Sequence, residues 1–185
     1  MDHFTIVAPN GLATAQFLGL PALCCGFAVL VHWKFARSTP LLLLKAVLLV
    51  VAVFQLRMYF HARHSEVVFV GDRMQFKVPS YYDRSVDLHD VDFKAIRSVN
   101  LNQTPDLQPK LRTDGIALIG YRLGWHRLNN GHNAWVAITD PERVVVIPVY
   151  DGPTVLVSVE DPVSFVQYLL SLFDTSDSLD DAEGT

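Results

Sequence analysis

The stretch WHRLNNGHNAWVAITDPERVVVIPVYDGPTVLVSVEDPVSFVQYLLSLF, residues 125–173, decides the fold. Short β-rich runs, AWVAIT, RVVVIPV and TVLVSV, alternate with turn signals at Asn130-Gly131, Asp140-Pro141 and Asp151-Gly152-Pro153. Valine- and isoleucine-rich runs of this length, punctuated by Asn-Gly and Asp-Gly, predict an antiparallel meander of three strands. The character then changes. Asp161 stands where an N-cap belongs, Pro162 takes the first helical position, and Phe165, Val166, Leu169, Leu170 and Phe173 recur at helical spacing. One apolar stripe on a helix predicts that it covers a sheet or plugs a barrel end.

Upstream, the same strand rhythm begins at Glu66. EVVFV turns at Gly71-Asp72 into RMQFKV, and RSVDL and AIRSVNL follow. NQTPDLQPKLRTDGIALIGYRLG, rich in proline and glycine, is a long excursion holding one strand. The expected fold is a mainly-β, pleckstrin-homology-like (PH-like) roll or barrel, closed by the C-terminal helix and occupying residues 63–173. The remainder, 174–185, is polar and acidic (Asp174 onward) and is expected to be disordered.

The first sixty residues are of a different kind. ATAQFLGLPALCCGFAVLV (Ala13 to Val31) is uncharged, with Gln16 its one strongly polar residue. PLLLLKAVLLVVAVFQLRMYF (Pro40 to Phe60) carries only Lys45 and Arg57, both near its ends. A bilayer needs about twenty apolar residues in a helix, and Pro21, Gly19 and Gly26 are tolerated in such helices. The expectation is an α-helical transmembrane hairpin over residues 1–62, and hence a multi-pass protein of the bacterial cytoplasmic (inner) membrane that contacts lipid through the hairpin. Lys34, Arg37 and Lys45 on one side balance Arg57, Arg63 and Arg73 on the other. The positive-inside rule therefore does not decide orientation, and the cytoplasmic side is the working expectation for the soluble domain.

Composition narrows the chemistry. The net charge is −4, and between Glu66 and Phe173 thirteen acidic residues face ten basic ones without a basic block, which argues against nucleic-acid binding. The two cysteines, Cys24 and Cys25, are adjacent in the first apolar run and read as small apolar helix residues. No phosphate loop, nucleophile elbow, zinc-protease or dinucleotide motif occurs, so no catalytic residue and no cofactor are assigned. His61 and His64 would share a helix face and suggest a metal, with His89, Asp90 and Asp92 as distant complements. No third ligand lies nearby in sequence, and the expected metal set is empty.

Two surfaces remain as binding candidates. GYRLGWHRL gathers Tyr121, Arg122, Trp125 and Arg127, aromatic and guanidinium groups of the kind that anchor protein interfaces. PSYYDR offers Tyr81, Tyr82 and Arg84 as groups that could dip into a membrane interface and touch a phosphate.

RTDGI (Arg112 to Ile116), GYRLGW (Gly120 to Trp125), RLNNG (Arg127 to Gly131), TDPERVVVIP (Thr139 to Pro148) and SVEDPVSFV (Ser158 to Val166) together resemble the bacterial PH-domain family. The resemblance is to its small membrane-anchored members with an N-terminal hydrophobic hairpin. It covers residues 105–170 closely and 66–104 in rhythm only. His126, His132-Asn133 and Pro153 depart from the usual pattern at or beside hairpins. The resemblance implies a PH-like fold and a membrane location, but no settled activity. The expected function is a non-catalytic adaptor or regulatory subunit acting on a protein partner. Lipid-headgroup binding is the first alternative and a metal-dependent enzyme the second.

Overall fold

The computed structural model describes residues 3–9, 11–34, 39–78 and 82–183. An antiparallel hairpin with a tight turn starts the β-domain. β2 (Glu66–Val70) reverses into β3 (Arg73–Lys77) across Gly71, whose φ of +57° suits the left-handed turn. β4 (Arg84–Asp87) pairs with β3, and β1 (His3–Thr5) adds on the other side, giving a four-stranded sheet in the order β1-β2-β3-β4. β1 is a strand that sequence reading did not contain.

The second sheet has six strands: β5 (Arg97–Val99), β6 (Pro109–Leu118), β7 (Tyr121–Leu128), β8 (Asn133–Ile138), β9 (Val144–Ile147) and β10 (Thr154–Ser158). Their order is β5-β9-β10-β8-β7-β6. The β7–β8 and β9–β10 hairpins form as the turn signals predict. The three-stranded meander does not. β10 lies between β9 and β8, parallel to β8. The connection 139–143 therefore steps across one strand, about 10 Å from β8 to β9, rather than folding back as a hairpin. Ser158 holds it there: its Oγ donates to the Asp140 carbonyl (2.8 Å) and accepts from the Thr139 and Asp140 N–H groups (3.2 Å each).

A closed barrel is likewise replaced by two separate sheets facing one another, in a mixed α/β architecture with flanking helices. Between the sheets, Val67, Phe69, Met74, Phe76 and Val86 meet Leu123, Trp135, Ala137, Val145, Ile147, Val155 and Val157. The rings of Phe76 and Trp135 lie 5.2 Å apart. The other face of the six-stranded sheet carries its own cluster, in which Leu128, Val136, Val144, Val146 and Leu156 are capped by Leu101 and Leu107. Two-sided burial explains why β8, β9 and β10 read as continuous apolar runs rather than alternating ones. The excursion before β6 is the lid of that second face. It is tied down by Asn129 N–H to the Gln108 carbonyl and Asn130 N–H to the Asp106 carbonyl, both 3.0 Å.

α3 (Pro162–Glu183) starts at the expected cap, with Asp161 accepting from the Ser164 N–H at 3.1 Å and from its hydroxyl at 2.6 Å. These bonds, the Ser164 hydroxyl first, hold the Asp161 carboxyl below its usual range. Phe165 and Leu169 are fully buried, and Phe165 meets Phe4 edge-on at 4.9 Å. The helix continues to Glu183, so the segment expected to be disordered is helical over residues 174–183.

The N-terminal part is a helical pair, α1 (Gly11–Lys34) and α2 (Thr39–Arg63), rooted in the β-domain. Ala13 and Phe17 of α1 and Tyr59 and Ala62 of α2 are buried in the main core, and Phe17 packs on Tyr121 with ring centroids 5.4 Å apart. The Gln16 side-chain oxygen accepts from the Ile119 N–H at 3.3 Å. This docking corrects the expectation of a multi-pass inner-membrane protein. Among the described residues one helix, over Leu43–Phe60, is long and apolar enough to cross a bilayer, and the apolar stretch of α1 is the shorter Gly11–Phe27. The first turns of α1, counted as membrane-spanning in the sequence, belong to an interface with β6 and β7.

Candidate interaction cleft

β7 presents alternate residues to opposite faces of the sheet. Its alternation separates the four residues that the sequence groups together. Tyr121 is 3% exposed and lies in the main core against Phe17, where burial pushes its phenol well above the usual range. Arg122 points the other way. It is half-buried, its Nη1 donates to the Pro109 carbonyl at 2.9 Å, and it lines a cavity of about 210 Å3 with Leu101, Gln108, Ile138 and Pro141. Arg127 is exposed at the end of the strand. Trp125 is half-buried: it packs on the main core and also lines an open cleft.

That cleft is an open concavity of about 780 Å3. Thr113 and Asp114 of β6, Trp125 of β7, Asn133 of β8 and the turn Tyr150-Asp151-Gly152-Pro153 form its walls, with His132 at the rim. Two glycines lie next to the lining residues Asp114 and Trp125. Gly115 and Gly124 face each other across β6 and β7 with φ of +139° and +98°. A Cβ on Gly124 would stand 2.6 Å from the Asp114 carbonyl oxygen and 3.2 Å from the Tyr82 ring, so only glycine lets the strands approach this closely.

The second candidate group is drawn toward the same place. Arg84, on β4, stacks over Trp125 with its guanidinium carbon 5.0 Å from the ring centroid. Tyr82 is half-buried and packs against the main core. Tyr81 lies outside the described residues. Two of the three residues considered for contact with lipid thus face the protein.

His126 is 2% exposed. Its Nδ1 lies 3.3 Å from the Gly124 carbonyl, and Nε2 has no partner. Burial lowers its pKa. The Gly124 bond opposes that shift, and the charges of Arg122 and Arg112 add to it. His64 Nδ1 bonds the Phe60 carbonyl at 2.7 Å, and the side chain of His61 lies outside the described residues. Among the described residues no group of three His, Cys, Asp or Glu side chains is arranged to hold a metal ion.

Tyr150, Asp114 and Asp151 were missed in the sequence as cleft residues. Tyr150 sits beside a turn signal and Asp114 in an irregular excursion, and neither context marks a binding surface.

The two facing sheets with a capping helix are those of a PH-like domain. The profile of the bacterial PH domain matches residues 80–172, half of the chain, and the chain belongs to that family. The match reaches further upstream than the close resemblance over 105–170, taking in β4 and β5. No curated protein and no solved structure matches the chain.

Proposed function

We propose that the chain is a PH-like interaction module held at a membrane by its apolar helical unit, acting as a non-catalytic adaptor or regulatory subunit for a protein partner. In this reading residues 1–62 carry the anchor, 63–173 the PH-like domain and 174–185 an acidic terminal segment. The observation that carries it is the surface of α2. Val50 is 67% exposed, Val53 and Phe54 each 60%, and Leu43–Phe60 is almost wholly unburied, with Tyr59 near its end reaching the main core. An exposed apolar surface of this extent marks a lipid or protein contact. Its length suits a bilayer. A domain already tethered this way does not need headgroup affinity, which leaves the Trp125 cleft and the neighbouring Arg127 for a partner.

The test is recovery of a stoichiometric protein partner with the full chain from detergent-solubilised membranes. The expected result is retention by the wild type and loss with Trp125→Ala or Arg127→Glu, the amide spectrum staying native. A chain that reaches the membrane but retains no partner, or one whose partner ignores both changes, contradicts the adaptor reading.

A further inference from the structure

The Trp125 cleft is charged as well as aromatic. Asp114 comes from β6 and Asp151 from the β9–β10 turn, and both carboxylates line the same concavity. Neither forms an ion pair among the described residues; the β-domain's ion pairs include Arg73–Asp87, Lys77–Glu66 and Arg143–Asp140. Of the nearby guanidiniums, Arg84 stacks over the Trp125 ring, Arg112 donates to the Gly115 carbonyl at 3.1 Å, and the exposed Arg127 forms no ion pair with either aspartate. Tyr150 is 67% exposed, yet its backbone is fixed: its N–H donates to the Asp90 carbonyl at 2.9 Å, and its neighbour Val149 bridges to Val91. An exposed tyrosine on a fixed backbone, lining the same cleft as Trp125, suits an interface anchor. The walls add Thr113, Asn133 and His132, side chains able to bond a peptide backbone.

From this juxtaposition of Asp114, Asp151, Trp125 and Tyr150 we infer that the cleft receives an arginine-bearing segment of the partner protein. The inference deepens the adaptor reading and rests on it. Arginine fits better than lysine because its planar guanidinium both stacks on an aromatic ring and forks onto a carboxylate. An anionic headgroup would meet two carboxylates. A choline headgroup carries a cation but no N–H for those carboxylates, and it would fill only part of about 780 Å3.

The test is an NMR titration of the full chain in uncharged detergent micelles, following the Trp125 indole N–H, identified by its loss in Trp125→Phe. The probe is a blocked Gly-Arg repeat hexapeptide, with Gly-Lys and Gly-Glu repeats and free phosphocholine as comparisons. The expected result is a saturable shift of Trp125 with the arginine peptide, weaker with lysine and absent with glutamate. Asp114→Asn with Asp151→Asn should weaken it about tenfold or more, and the exposed substitution Tyr150→Ser should weaken it too. Shifts confined to the acidic segment 174–185, or unchanged in the double variant, would show diffuse charge attraction and overturn the inference. A stronger response to phosphocholine would overturn it in favour of a headgroup. A partner retained independently of both aspartates would leave the adaptor standing and remove only the inference. Seating of the arginine peptide without any retained partner would support the cleft chemistry and remove the adaptor.

Discussion

A single buried imidazole couples this fold to pH. His126 is held neutral by burial between strands, beside Arg122 and Arg112. Its folded pKa lies below its unfolded value of about 6.5, so below that range the unfolded chain binds the extra proton and folding is opposed. Stability should therefore fall as pH drops from about 7 through 6.5 and below, by at most about 1.4 kcal/mol per pH unit from this group. His126→Gln should flatten that part of a plot of Tm against pH, and an unchanged slope would remove His126 as its cause. Gly124 is a second control point. Gly124→Ala brings a methyl group against the Asp114 carbonyl in a backbone conformation that alanine rarely adopts. A loss of about 1–3 kcal/mol is expected in chemical denaturation, with the Trp125 environment disturbed. Residue types in GYRLGWHRL group Tyr121, Arg122, Trp125 and Arg127 as one surface, but the fold buries Tyr121 and leaves Trp125 lining a cleft. The alternation of β7 is masked by Gly124 and His126, so nothing local in the sequence says that Tyr121 faces inward against Phe17.

Elements whose partners are adjacent in sequence were the readable ones. The β7–β8 and β9–β10 hairpins and the Asp161-capped start of α3 follow from turn and cap chemistry within a few residues. The insertion of β10 between β8 and β9 is a non-local choice, settled by Ser158 and by burial of both sheet faces, and a turn signal at Asp140-Pro141 looks the same either way. β1 was unreadable for another reason: HFT is three residues long and stands beside an apolar run. The crossing loop makes a prediction of its own. Ser158→Ala removes the acceptor for two N–H groups, that of Thr139 in the interior. It should cost about 1–3 kcal/mol and raise hydrogen exchange at Thr139 and Asp140 before the rest of β8. At the end of the sandwich, Phe165→Ala empties a fully buried ring site against Phe4 and Phe69. A loss of about 3–5 kcal/mol is expected in thermal or chemical unfolding.

On the scale of the whole molecule, the helical pair and the β-domain share one core through Phe17, Tyr59 and Tyr121. β1, before α1, pairs with β2, after α2, so both ends of the pair stand on the same β-domain. The helical pair and the β-domain are therefore joined at both ends, and under the proposed function a partner held in the Trp125 cleft would keep a fixed geometry to the apolar helices. Hydropathy made the apolar surface legible. It did not reveal that the first turns of α1 are committed to the β-domain, because an apolar run has the same composition whether it faces lipid or protein. The most direct measurement is the solvent contact of α2. Cys24 and Cys25 are changed to Ala, and a spin label is placed at Val50 on α2 or at Val163, the exposed control at the start of α3. The full chain is reconstituted into vesicles and probed with oxygen and with a water-soluble nickel chelate. The expected result is a Val50 label open to oxygen and shielded from nickel, with the reverse at Val163. Equal access of nickel to both labels would contradict membrane anchoring and make the apolar face of α2 a protein interface.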